Sequence, residues 1–370
     1  MSDVIVIGGG IVGTSAASFL AEAGATVTLF DRTGLASGAS GANSGVVQHP
    51  LDPAMVPLYL ETVELYRSLT REDAGFTLPE DPAGMLFVSH EPSAVDGIAA
   101  LFPGLATEIV SGAALQALEP TAGPDLTACY VPIAFPVPPS ASTYAYATVA
   151  ERRGVTIRQG RAATPVIEGG RVVGVRVGES VVAADQVLVA AGPWSPELID
   201  PSGAWRPIRP LWGVVVEIEL AEPPRMVLEE AEIDGRIGAE SRIGEEAASD
   251  FSLITAAGVS AVGSTFLDEE PDPETWIVPL LSRAQTFVPG VATAPIRGVR
   301  ACARPLSADR RPLIGPVPGV EGLFVCAGHG PWGISTGPAS ARLVTDLMLG
   351  RAAVVPPELD SARFGVPGAG

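Results

Sequence analysis

Residues 3–32 constrain the chain more than any other stretch. Residues 3–7 (DVIVI) are a short β-branched run, and Gly8-Gly9-Gly10-Ile11-Val12-Gly13 follows without a spacer. Residues 14–24 read as a helix with Ala16, Ala17, Leu20 and Ala21 on an apolar stripe, and residues 25–30 (ATVTLF) as a second strand ending on Asp31. A strand, a glycine turn, a helix and a strand closing on an acid define a Rossmann-type unit whose turn accepts a pyrophosphate. Gly8 permits the tight turn. Gly10 leaves the backbone bare where a phosphate approaches, and Gly13 lets the helix lie close to the strand. The helix start offers unpaired N–H groups and a partial positive charge to the phosphates. Asp31 stands close to the ~20-residue distance at which an acid takes the ribose hydroxyls.

The 370 residues suit two domains, and a composition 47% hydrophobic and only 18% charged supplies large cores. A formal net charge of −19 argues against a nucleic-acid or anionic-membrane partner, because nothing would neutralise phosphate. Cys129, Cys302 and Cys326 are odd in number and unpatterned, so neither a disulfide framework nor a metal site is expected, and a reducing, cytoplasmic setting fits. The apolar N-terminus lacks the basic region of a signal peptide, and its glycines serve the nucleotide site. No uncharged apolar run approaches ~18 residues without Gly or Pro, so no membrane span is expected.

Residues 34–47 (GLASGASGANSGVV) are too rich in glycine and serine for a helix core. They read as a flexible linker or, directly after the nucleotide acid, as a loop that wraps a cofactor with Ser37, Ser40, Asn43 and Ser44 as donors. Helices are expected at 55–69, 93–101, 111–118, 142–153, mostly over 271–288, and at 335–349. Strands are expected at 84–89, 155–158, 165–168, 171–177, 180–183, 186–190, 211–220, 251–255, 260–265 and 322–327, with extended segments at 127–135 and 297–304. The strand at 186–190 (QVLVA) runs into Ala191-Gly192-Pro193-Trp194, a second approach of backbone to the nucleotide. Residues 229–250 are acidic, poorly periodic and expected as a surface excursion; residues after 351 read as a loosely ordered Pro/Gly tail. The fold class is therefore α/β. A nucleotide domain from 1–80, 140–205 and 295–350 interleaves with a substrate domain from 81–139 and 206–294 built on antiparallel strands, and 351–370 is a tail.

Taken with the opening fingerprint, the SGASGANSG loop, QVLVAAGPW and the closing motifs RACARPLSADRRPLIG and GLFVCAGHGPWGISTGP, the chain resembles the D-amino acid oxidase superfamily of FAD-dependent oxidoreductases. The likeness is to the glycine oxidase and sarcosine oxidase branch and runs over nearly the whole chain, with 206–294 divergent. It implies FAD as cofactor. The backbone at Ile11 and Val12 would meet the pyrophosphate, and Asp31 and Arg32 the adenosine. Ser40, Asn43, Ser44, Gly45 and Val46 would follow the phosphates and flavin, and Ala191, Gly192 and Trp194 would close over the adenine half. His329, Gly330, Pro331, Trp332, Gly333, Ile334 and Ser335 would cradle the isoalloxazine ring. A glycine turn opening a helix aims N–H groups at one spot, which suits charge developing on a reduced ring.

Arg304 is the expected anchor of the substrate carboxylate: the resemblance puts an arginine there, and a guanidinium stays charged and makes two parallel bonds to one carboxylate. The alternative is a structural ion pair with Asp309. Cys302 shares a face with Arg304 in an extended segment, and the sarcosine oxidase branch binds flavin covalently through a cysteine there; the alternative is a small buried residue. His329 could tune the ring, His49 could move a proton or cap a turn, and Trp332 could wall the substrate cavity. The lysine that the sarcosine oxidase branch sets near the flavin aligns with Ala261, and its second carboxylate-binding lysine with Ser335. These readings converge on oxidation of the C–N bond of a small amino or imino acid by hydride transfer to flavin N5, with oxygen or another electron acceptor as final partner. A 2-hydroxy acid dehydrogenase, suggested by the run at 43–47 (NSGVV), and a flavin-carrying subunit without its own chemistry are the alternatives.

Overall fold

The strand Asp3–Ile7 lies inside a six-stranded sheet in the order Leu313–Pro316, Leu323–Ala327, Gln186–Val189, Asp3–Ile7, Thr26–Phe30, Thr156–Arg158. In this computed structural model, which describes residues 3–231 and 249–367, the neighbours pair in parallel. The exception is Leu313–Pro316, which closes one edge antiparallel. Alternation decides what each face meets. Val4, Val6 and Leu188 point to the helices Ile11–Glu22, Ala141–Arg152 and Gly333–Met348. Ile5, Ile7 and Val187 point to the other side, where Arg171–Val177 brings Val172 and Val175 from a three-stranded antiparallel sheet.

The opening helix begins at Ile11 rather than at residue 14, and every residue from Ile11 to Leu20 is buried. The expected stripe is therefore too narrow: helices pack on it from two sides, and its small residues let them come close. Gly8 adopts φ +118°, and a Cβ there would stand 2.3 Å from the carbonyl oxygen of Ala190. A Cβ on Gly13 would stand 1.9 Å from the carbonyl oxygen of Gly8. The turn thus exists in this form only without side chains at both positions.

The second large sheet has eight strands in the order Ile296–Ser307, Ile208–Ile218, Val259–Thr265, Ser249–Ala256, Val227–Glu230, Met85–Ser89, Thr127–Val131, Glu108–Ser111. It is antiparallel except for the parallel pairing of Val227–Glu230 with Met85–Ser89. Ile296–Ser307 pairs with Ile208–Ile218 along its whole length. That amends the expected grouping of 295–350 with the nucleotide segments, because a strand's own alternation does not say which sheet it joins. The stretch expected as one helix at 93–101 forms two 3-10 turns, Pro92–Val95 and Ile98–Leu101. The expected helix at 111–118 starts at Gly112 after the short strand Glu108–Ser111.

Two further expectations are corrected. Of the acidic excursion at 229–250, residues 232–248 lie outside the described residues. Its ends are interior strand positions, with Glu229 and Asp250 buried and Glu229 opposite Ser252. Sheet pairing, which acidity does not reveal, draws them inward. The tail is also not loose between 359 and 364. Leu359 is only 1% exposed, its carbonyl accepts from the Ile314 N–H at 2.9 Å, and Arg363 forks onto Asp309 at 2.7 and 2.9 Å.

Candidate active site

Residues of both large sheets line a cavity of about 610 Å³, within the ~300–1,000 Å³ range of ligand cavities. It starts on the glycine turn, where Gly8, Gly10, Ile11 and Val12 form the wall. Gly13 is not on the wall; it packs beneath, against Gly8. The Ile11 N–H donates to Ser40 Oγ at 2.9 Å, which holds the wrapping segment against the helix start. Asp31 braces the same turn: its Oδ2 accepts from the Gly9 N–H at 2.7 Å and its Oδ1 from Thr33 and Gly34 at 2.8 Å each. A carboxylate accepts more bonds than these three, so ribose hydroxyls can still reach it. Arg32 lies over the Trp194 ring at 4.1 Å, and both line the cavity with Ala191 and Gly192.

Asn43 reaches the wall, but its side-chain amide donates to the carbonyls of Ala39, Ser40 and Pro139, and its Oδ1 accepts from Gly45. It braces the loop; Ser44, Gly45 and Val46 form the wall there. The strand Leu323–Ala327 delivers the turn at 329–335 into the helix Gly333–Met348. His329, Gly330, Pro331, Trp332, Gly333, Ile334 and Ser335 all line the cavity. His329 is buried, its Nε2 has no hydrogen-bond partner among the described residues, and burial lowers its pKa to about 4, so the ring is neutral. Ser335 Oγ accepts from the Gln48 N–H at 2.9 Å and ties the wrapping segment to the helix start.

Arg304 and Cys302 come from one face of Ile296–Ser307. Arg304 Nη1 donates to the Thr265 carbonyl at 2.8 Å, Nη2 donates to Ser264 Oγ, and the group lies 4.7 Å from the Phe266 ring. Among the described residues no carboxylate pairs with it. Asp309, the expected structural partner, is taken by Arg363 instead. Burial pulls the guanidinium below its ordinary value but leaves it charged. A buried cation with only neutral partners is costly, and an anion in the cavity would relieve that cost. Burial also pushes the Cys302 thiol up, against the pull of Arg304 and Arg300, which works against the thiolate that a covalent flavin link needs.

The remaining candidates fall elsewhere. His49 Nδ1 meets the Pro50 carbonyl at 2.8 Å, and its ring packs edge-on to Tyr59 and Phe102, away from the cavity wall. Ala261 is a buried strand residue that does not reach the wall either; Ser264 of the same strand does. No lysine exists to replace it, because all 23 Lys/Arg positions are arginines. Sequence reasoning missed Gln48, Gly213, Glu229, Ser252 and Ser264. Only Gly213, a glycine inside a bulky strand, carried a local signal: a Cβ there would lie 2.2 Å from the Arg304 guanidinium.

A bare glycine turn, an acid, a stacked arginine and a buried imidazole fit a long dinucleotide with a polar ring. They define a flavin-dependent oxidoreductase of the Rossmann type. The chain belongs to the FAD dependent oxidoreductase (DAO) family, whose model matches residues 3–347, and FAD is its cofactor. It is similar to a glycine oxidase of Pseudomonas aeruginosa, with 28% identity covering 96% of each chain. A D-amino acid dehydrogenase of Cereibacter sphaeroides is 30% identical over 60% of this chain and 48% of that one. The solved structure of glycine oxidase from Bacillus cereus superposes with a TM-score of 0.80 at 26% identity, covering 95% of each chain.

Proposed function

We propose that the protein oxidises the C–N bond of a small amino or imino acid. The observation that carries this is Arg304: a buried guanidinium held by neutral groups, facing the same cavity as the turn at 329–335. Relatives named glycine oxidase and D-amino acid dehydrogenase support the same reading.

When bound, FAD supplies the acceptor for the hydride that leaves Cα. The chain supplies orientation. Arg304 fixes the carboxylate and so decides which substrate bond faces the ring. Trp212 and Phe266 line the same cavity and keep water from the reacting carbon. His329, neutral at physiological pH, would hold the ring end by a hydrogen bond and carry no charge to it. The imine product hydrolyses once water reaches it, to an oxo acid and ammonia from an amino acid, or an oxo acid and an amine from an imino acid. Electrons then pass to oxygen or another acceptor, and release of hydrogen peroxide against reduction of a dye distinguishes the two. Three free, buried cysteines support a reducing, cytoplasmic setting.

Anaerobic mixing with a panel of amino acids tests the reading. Flavin absorbance is expected to bleach with at least one of them, with ammonia released. Arg304→Gln removes one partner of a buried charge pair, worth roughly 2–5 kcal/mol. It is expected to raise the substrate concentration for half-maximal bleaching by ~30-fold or more. Bound FAD that no amino acid reduces, or equal bleaching at low substrate in the variant, ends the proposal.

A further inference from the structure

Among the described residues, the charged side chains on the cavity wall are Asp31, Arg32, Glu197, Glu229, Glu270 and Arg304. Only two of them are buried, Arg304 at 9% exposure and Glu229 at 7%, and they are of opposite sign. Both belong to the eight-stranded sheet, and the register sets them above one face of it. Glu229 stands opposite Ser252, Ser252 opposite Gly263, and Gly263 opposite Val215. Residues paired in this way share a face. Glu229, Ser252 and Val215 all reach the cavity. Gly213, two residues from Val215 and so on the same side, is where the guanidinium rests.

Adjacent strands lie about 4.8 Å apart, so the row from Glu229 to Gly263 spans roughly 10 Å. The guanidinium bonds to Ser264, next to Gly263. The two charges therefore bracket a floor made by Ser252 and Gly263. Gln48 orients the acid: its Nε2 donates to Glu229 Oε2 at 3.2 Å, and its backbone N–H is held by Ser335 at 2.9 Å. The acidic pole is thus tied to the same helix start that forms the ring end of the cavity.

Resting on the amino-acid reading above, we infer that Glu229 receives the substrate's ammonium group, and the proton its nitrogen must lose before hydride leaves Cα, while Arg304 receives its carboxylate. The cavity then selects a zwitterionic α-amino or α-imino acid over a 2-hydroxy acid of the same shape. A hydroxyl and an ammonium can both donate to the ionised carboxylate, but only the ammonium adds the attraction of opposite charges, which is strong in a buried site.

The test uses holoenzyme and two ligands without a Cα–H, 2-aminoisobutyrate and 2-hydroxyisobutyrate, followed by perturbation of flavin absorbance. Wild type is expected to bind the amino ligand ~10-fold or more tightly than the hydroxy ligand. Glu229→Gln is expected to lose about that factor for the amino ligand and to change by less than ~3-fold for the hydroxy ligand. Gln48→Met, which leaves the acid in place but removes its orienting bond, is expected to shift selectivity the same way by a smaller factor, and serves if Glu229→Gln does not hold FAD. Equal losses for both ligands indicate a structural role and overturn the assignment, as does unchanged selectivity. If amino acids reduce wild type but no such selectivity exists, the Glu229 assignment fails alone. If no amino acid reduces wild type, the proposed function fails and takes this assignment with it.

Discussion

Arg304, which no carboxylate meets among the described residues, has room for its guanidinium because Gly213 has no side chain. The strand partners bring Gly213 opposite Cys302, and the guanidinium occupies the space a Cβ at Gly213 would fill, 2.2 Å from its Nη2. Gly213→Ala is therefore expected to push the arginine off the Ser264 and Thr265 acceptors. Substrate affinity should fall by ~10-fold or more, the cost of losing a charge-assisted bond, while the protein keeps its yellow colour, since no FAD contact is expected from Gly213. Michaelis constants measured beside FAD content check this, and an unchanged constant would show that the arginine tolerates the methyl group. Residue chemistry also divides the histidines. His329 is on the cavity wall and neutral through burial, whereas His90 pairs with Asp125 at the surface.

At the scale of elements, the opening βαβ unit works through close approach. The carbonyl of Gly8 and the start of the helix touch where Gly13 lies, and the Ala190 carbonyl caps Gly8 from the neighbouring strand. Helix Gly333–Met348 packs on the same helix through Gly337, whose absent Cβ would meet Val12 and Ile11 at 3.2 and 3.3 Å. Gly13→Ala puts a methyl group 1.9 Å from a backbone oxygen that cannot move without opening the turn. It is expected to weaken FAD binding at least ~10-fold and to cost roughly 1–3 kcal/mol of stability. Titration of apoprotein with FAD and a urea melt read the two effects, and full FAD affinity in the variant would mean that the turn is more compliant than its packing implies.

At the scale of the whole molecule, the last residues act as a strap. Residues 359–364 join the edge strand Leu313–Pro316 through the Ile314–Leu359 bond, and join the turn after Ile296–Ser307 through Arg363 and Asp309. Trp205 Nε1 donates to the Phe364 carbonyl at 3.2 Å and adds a third attachment. Deleting residues 356–370 exposes the Leu359 site, worth ~1.5–3 kcal/mol, and breaks the Arg363 fork. A fall in melting temperature of roughly 5 °C is expected, with FAD retained because none of residues 356–367 lines the cavity. Calorimetry of the truncated holoenzyme tests this; an unchanged melting temperature would mean that the strap contributes nothing.

Local pattern carried the nucleotide half of this protein. The spacing of Gly8, Gly10 and Gly13, the β-branched runs ending at Asp31 and Ala190, and the glycine turn after Ala327 each encode their geometry within a few residues, because turn conformation and side-chain period are local properties. Arg304 was singled out by the family resemblance, through the closing motif RACARPLSADRRPLIG, and it lies on the cavity wall. The sequence alone could not say that Ile296–Ser307 crosses to the other sheet, that Asp309 belongs to Arg363, or that Glu229, placed by its acidity at the surface, faces the cavity. Those are outcomes of pairing between strands far apart in the chain, and hydrogen-bond register, not composition, decides which side chains a sheet turns inward.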